Sequence, residues 1–214
     1  LLGVARAVVP HGAPELVLAI RLGATTCLLA GASAFAGQSW PRGRRLGLHL
    51  AAGAMLHGLY LTVSWWSVSR GMPAGIMSLL GATQPLMVAV ASVALLGDRL
   101  PGRSWLGLFI AITGVVCVLM PAIESSDTTA VPVIPVLAGI FAIIAMTGGT
   151  LIQRGQIASD PILMSGAAQN LGGTIVAVSA TLIVGEWRWD NDPILWIGLG
   201  WSVLGLSAGG LSLL

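Results

Sequence analysis

Lysine is absent from this 214-residue chain, and charged residues of every kind make up only 8% of it. Soluble domains carry about 25% charged residues, so the chain lacks the means to cover a water-facing surface. A nucleic-acid partner is excluded on the same ground. The basic residues, all arginines, outnumber the acids by only +2 net charges, and they lie singly or in one short cluster. Cysteine is almost missing. Cys27 and Cys117 both fall in apolar stretches, which argues against a structural disulfide and for small core residues. Metal-ligand clusters, phosphate-binding loops and carboxylate pairs do not occur, so no metal or other cofactor is implied. Ten-residue stretches of alternating polarity do not occur either, which excludes a membrane β-barrel.

What is present is hydrophobic: 56% of the residues, with a mean hydropathy of +0.91. These residues form long stretches separated by short polar connectors. Only helices and closed barrels satisfy every backbone group in lipid, so the sequence specifies an all-α integral membrane protein, a multi-span helical bundle. A span needs about 20 apolar residues to cross a core of about 30 Å. Candidates lie at about 15–37, 47–68, 74–96, 104–121, 132–154 and 161–185, and another helix opens near 193. Pro14, Pro73, Pro132, Pro161 and Pro193 stand near helix starts, where a missing N–H does no harm. Residues 1–9 read as the tail of a further span and not as a signal peptide, because no charged region precedes their apolar part. A start at Leu1 and an end at Leu214 inside an apolar run read as a fragment of a longer chain.

Arginines in the connectors set the expected orientation. Arg42, Arg44, Arg45, Arg99, Arg103 and Arg154 fall on one side if the spans alternate. The opposite side holds Arg6, Arg70 and Arg188 with Glu124, Asp127, Glu186, Asp190 and Asp192. The arginine-rich side, including loop 38–46, is expected to be cytoplasmic. A repeat is also visible. An offset of 147 residues relates Pro14 to Pro161, Leu16 to Leu163, Leu48 to Leu195, Gly53 to Gly200 and Gly58 to Gly205. Such an offset spans five helices, so the second copy lies inverted relative to the first, an architecture of secondary transporters.

The polar residues inside the spans are the candidate site. Gln84-Pro85 lies at the middle of the 74–96 span. Pro85 leaves the Gly81 carbonyl without its usual partner, and Gln84 adds an amide. Either the pair lines a cavity or it is a packing kink with Gln84 bonded to another helix. His57, mid-span in 47–68, is a functional candidate by default. A neutral histidine bonded to a carbonyl is the competing reading. Tyr60, the only tyrosine, follows one turn later on the same face. Arg21 lies about 9 Å into its helix and either meets an anionic group, serves structure or gating, or snorkels outward. Gln169 and Asn170 occupy nearly the equivalent place in the second copy. Most tryptophans read as interfacial belt residues, whereas Trp65 or Trp66 is a candidate gate. Gly107, Ala111 and Gly114 form a small-residue stripe suited to close packing. Gly205–Gly209 fits the nucleophile-elbow pattern around Ser207, but without a strand-turn-helix context or a supporting His and acid.

The segment Trp65–Met120 resembles the EamA family of the drug/metabolite transporter superfamily. The resemblance rests on a helix with a central proline, then Leu-Gly-Asp-Arg-Leu at 96–100, then Trp105-Leu-Gly and an Ile-x-x-Gly-Val helix. Asp98 stands where that family usually has glutamate. Ala19–Arg21 resembles the family's arginine-bearing second helix. The resemblance implies two inverted five-helix repeats, about ten helices when complete, with this fragment holding roughly the end of the first through the eighth. The first repeat would cover 1–121 and the second 132–214. It also implies substrate passage through a central cavity, to which His57, Tyr60, Gln84, Pro85, Gln169 and Asn170 would contribute, with Arg21 and Trp65 gating or structural.

The expected function is secondary transport of small organic solutes across a bacterial-type inner membrane, with the bilayer and a small-molecule substrate as partners. Proton coupling would run through His57, the one visible group that titrates near neutral pH. Rival readings are a multidrug efflux pump, an intramembrane hydrolase and a non-transporting scaffold. The pump would use a membrane-embedded carboxylate, and no acid lies in the interior of a predicted span. Oligomeric state is not legible.

Overall fold

The computed structural model describes residues 11–98, 101–107, 109–110, 113–114, 117 and 133–205. Expectations for residues 1–9 with Arg6, for Arg99, for much of the 104–121 span with Ala111, for Glu124, Asp127 and Pro132, and for 206–214 with Ser207 lie outside the described residues.

Among the described residues, five helices are long and apolar enough to cross a membrane: α1 (Pro14–Phe35), α2 (Arg44–Ser69), α3 (Ala74–Leu96), α4 (Val133–Gln156) and α5 (Ile162–Val184). At about 1.5 Å per residue each reaches across a hydrocarbon core of about 30 Å. A further helix, α6 (Pro193–Gly200), continues into a π-helical turn at Trp201–Gly205, and residues 102–107 are also helical. Local chemistry sets the ends. Pro14 and Pro193 sit in first turns, and Pro73 and Pro161 are N-cap residues. The Asp192 carboxylate accepts the Ile194 N–H at 2.7 Å, capping α6. Gly97 and Gly185 close α3 and α5 in the left-handed region, which favours glycine. Observed and expected boundaries differ by three residues or fewer. Arg44 and Arg45 shift from the loop into the first turn of α2.

Helix directions follow from the contacts. Side chains at Leu29 and Leu22 of α1 meet Gly166 and Gly173 of α5, so these two helices run antiparallel, and they pack extensively. They are the pair that Pro14 and Pro161 open. α2 lies between α5 and α4. On its α5 side the backbones touch: a methyl group at Gly53 would overlap the Gln169 carbonyl, and one at Gly172 the Leu50 carbonyl. In lipid, where apolar side chains gain nothing by leaving the tails, such close backbone approach drives association through van der Waals contact. On the other side, Met55 and Leu56 of α2 meet Gly148 and Gly149 of α4. Two apolar clusters result. One joins Leu18 and Leu22 to Leu61, Trp65, Ala177, Leu195 and Leu199; the other joins Met72 and Met77 to Ala142 and Ile143. Tyr60 packs against both.

Two expectations about packing are corrected. Cys27 and Cys117 are free and exposed rather than buried, because the outward face of a membrane bundle is as apolar as its core. Gly107 and Gly114 have nothing within contact distance among the described residues, so no described helix packs on that stripe. The backbone contact between α2 and α5 generates a prediction. Gly172→Ala should lower the thermal unfolding midpoint of the detergent-purified protein, at a cost of about 1–3 kcal/mol for overpacking. Gly31→Ala, with open space around it, should leave that midpoint unchanged or raise it. Equal midpoints for the two variants would show that the contact is not tight.

Candidate functional site

The polar residues of the spans gather along α2, and the two ends of the bundle differ. At mid-depth α2 winds as a π-helix over Ala54–Leu59, closed by the Tyr60 N–H on the Met55 carbonyl. Single π-turns of this kind recur at functional sites. This one carries His57, whose Cβ lies against Gly173 of α5 near the side chain of Leu22. Arg21, one residue before Leu22, is half-buried, and its guanidinium is within electrostatic range of His57. Its Nε and Nη1 are buried without a hydrogen-bond partner among the described residues.

On the other side of α2 stands the break in α3. The helix is interrupted at Thr83, whose N–H and hydroxyl both turn back to the Leu80 carbonyl at 3.0 and 2.6 Å. It restarts at Gln84 with Pro85 in its first turn. Proline is tolerated there because the N–H it lacks would have had no intrahelical partner. The Gln84 amide donates to Thr150 Oγ1 of α4 at 3.1 Å, and the Tyr60 hydroxyl lies beside Gly81, the residue whose carbonyl Pro85 frees. Gln169 is 4% exposed, held in the α2–α5 contact. The Asn170 amide donates to the Gly166 carbonyl of its own helix at 2.8 Å.

These positions divide the expected site in two. His57 and Arg21 belong to the α1–α5 side of α2; Gln84, with Thr150, belongs to the α4 side; Tyr60 bridges them. Trp65 is 3% exposed and packs in the α1–α2–α5–α6 cluster, which is a structural placement. Its neighbour Trp66 turns about 100° around the helix and lines a cavity.

That cavity, of about 320 Å³, opens at the arginine-poor end among Pro14, Glu15, Trp66, Arg70, Glu186 and Arg188. Arg70 lies over the Trp66 ring, 5.7 Å from its centroid, a cation–π contact. Glu15, in the first turn of α1, is buried. At the same end the segment before α1 pairs with the α5–α6 connector. The Ala13 N–H donates to the Arg188 carbonyl and the Asp190 N–H to the His11 carbonyl, each at 2.9 Å.

The arginine-rich end is closed by ions. Asp160, in the α4–α5 turn, has a side chain 7% exposed and pairs with Arg45. Its other oxygen lies 2.8 Å from His49 Nε2, on a side chain that is 0% exposed. The neighbouring Arg44 donates to the Gln156 amide oxygen at 3.2 Å. Arginines in the first turn of a helix oppose its dipole, and Asp160 offsets that charge while tying α2 to the α4–α5 turn. Sequence reasoning missed this cluster. Asp160 precedes Pro161 and reads as part of a helix start, and its partners are more than 100 residues away. The one available signal was His49, a second histidine two turns before His57.

Comparison with known families gives one match: the EamA-like transporter family, over residues 3–120, more than half of the chain. No curated protein and no solved structure matches significantly. The ion cluster makes a prediction independent of that match. In a double-mutant cycle, His49→Gln and Asp160→Asn should couple by about 1–3 kcal/mol in thermal unfolding, as expected of contacting polar groups. A coupling near zero would make the contact incidental.

Proposed function

Since the chain belongs to the EamA-like transporter family, within the drug/metabolite transporter superfamily, we propose that this multi-pass membrane protein is a secondary transporter of small organic solutes. It works by alternating access along α2. The observation that carries this reading is the difference between the two ends of the bundle. One end holds a cavity of about 320 Å³ lined by Glu15, Arg70, Glu186 and Arg188, and the other is tied shut through Arg45, Asp160 and His49. Between them lie Arg21, His57, Tyr60 and Gln84, ionisable or hydrogen-bonding groups at depths where such residues are rare and mark solute pathways. The Gln84–Thr150 bond supplies one group from each proposed repeat, 1–121 and 132–214, so rocking of the repeats would open it.

A proton-driven drug pump is less supported. The one acid inside a described span, Glu15, sits in the first turn of α1 rather than at depth. His57 is the group proposed to link transport to protons. The arginine-rich end is proposed to face the cytoplasm of a bacterial-type cell.

Two measurements test the reading. Metabolite profiling of deletion and overexpression strains nominates a solute, and its uptake is then followed in proteoliposomes. His57→Ala and Gln84→Ala, matched for folded amount, should each lower uptake about tenfold or more, equivalent to ~1.4 kcal/mol. Wild-type rates and pH dependence in both would make these residues packing groups only. Single cysteines at 38–46, in a protein lacking Cys27 and Cys117, should react with impermeant reagents only from the cytoplasmic side. Reaction from outside would reverse the orientation.

A further inference from the structure

Arg21 has no hydrogen-bond or ion-pair partner among the described residues that accounts for its position. It lies three to four residues from the centre of α1, about 5 Å along the axis. A guanidinium at that depth has three ordinary solutions: it snorkels to the interface, it pairs with an acid, or it bonds backbone carbonyls. No acid or carbonyl partners it among the described residues, and Nε and Nη1 are both sealed from solvent. Glu15, the one acid inside a described span, sits six residues away, about 9 Å along the same helix, and makes no ion pair with it. The contacts of His11 with Asp192 and of Arg45 and His49 with Asp160 lie at the two ends of the bundle.

The surroundings say what would complete it. Leu18 and Leu22, flanking Arg21 on α1, belong to the apolar cluster with Leu61 and Trp65. His57 stands within electrostatic range, and the side chain lies on the arginine-poor half of α1, toward the end where the cavity opens. A guanidinium offers a planar fork of donors matched to two oxygens in a plane. With a single arginine at this depth among the described residues, one negative charge balances the site and a dianion would not. We propose that Arg21 is the substrate-recognition residue of the pathway and that the solute is a monocarboxylate, whose carboxylate meets the guanidinium fork. This inference rests on the transporter reading and adds to it the chemical class of the solute.

The test compares matched acids and amides on the detergent-purified protein. Butyrate, hexanoate, phenylacetate and leucine are titrated beside their primary amides, with the thermal unfolding midpoint as readout. At least one acid should stabilise the wild type, and its amide should need about tenfold more ligand or worse, as for a lost charge-assisted bidentate contact. Arg21→Gln should bring acid and amide within about twofold of each other. Arg21→Lys, which keeps the charge but not the fork, should bind the acid about tenfold more weakly while still preferring it. Equal stabilisation by acid and amide, no stabilisation by any acid, or an acid preference that survives in Arg21→Gln would overturn the proposal. The wild-type comparison decides alone should Arg21→Gln not fold. Uptake of an uncharged solute that Arg21→Gln leaves unchanged would overturn it too while leaving the transporter reading standing. Failure of every solute to cross would overturn both.

Discussion

The architecture depends on the contact between the backbones of α2 and α5. Gly53 and Gly172 let the two helices approach until the carbonyls of Gln169 and Leu50 occupy the space a Cβ would need. Lipid tails supply no hydrophobic drive between helices, so this close fit must hold the bundle together. It also fixes what α2 presents elsewhere. With Gly53, Gly58 and His57 turned toward α5, Met55 and Leu56 face α4, and Tyr60 reaches both apolar clusters. The polar groups of the interior are therefore arranged around one helix.

That arrangement explains how polar side chains persist in an apolar bundle. Gln84 has Thr150, Asn170 has the Gly166 carbonyl, and Asp160 has Arg45 and His49. Arg21 has two buried nitrogens unpartnered among the described residues, as are His49 Nδ1 and the hydroxyls of Ser33, Thr62, Ser64, Ser92 and Ser165. An uncompensated charge in low dielectric is costly. The ends are built differently for the same physical reason. One end holds a cavity where Glu15 and Glu186 stand with Arg70 and Arg188. At the other end, burial of Asp160 is offset by Arg45 and His49.

Much of this was legible in the sequence. Hydropathy and proline placement located the spans, since Pro14 and Pro193 stand in first turns and Pro73 and Pro161 cap helices. The Gln84-Pro85 pair marked the break in α3, although the interruption falls one residue earlier, at Thr83, because its hydroxyl takes the Leu80 carbonyl. Other features were not legible. Burial cannot be read from apolarity in a membrane protein, which is why Cys27 faces outward. Trp65 and Trp66 are indistinguishable in sequence, yet one is core and the other lines a cavity. His49 and Asp160 meet only through tertiary structure, as do Gln84 and Thr150.

Alternating access along α2 is the central claim, and distances across the two ends test it most directly. Spin labels at Arg42 and Ser159 would report the arginine-rich end, and labels at Ser69 and Asp190 the end with the cavity. The account predicts two distance populations at each end in lipid, with the long distance at one end accompanying the short distance at the other, and a transported solute shifting both. A single unchanging distance at each end, with or without solute, would contradict it.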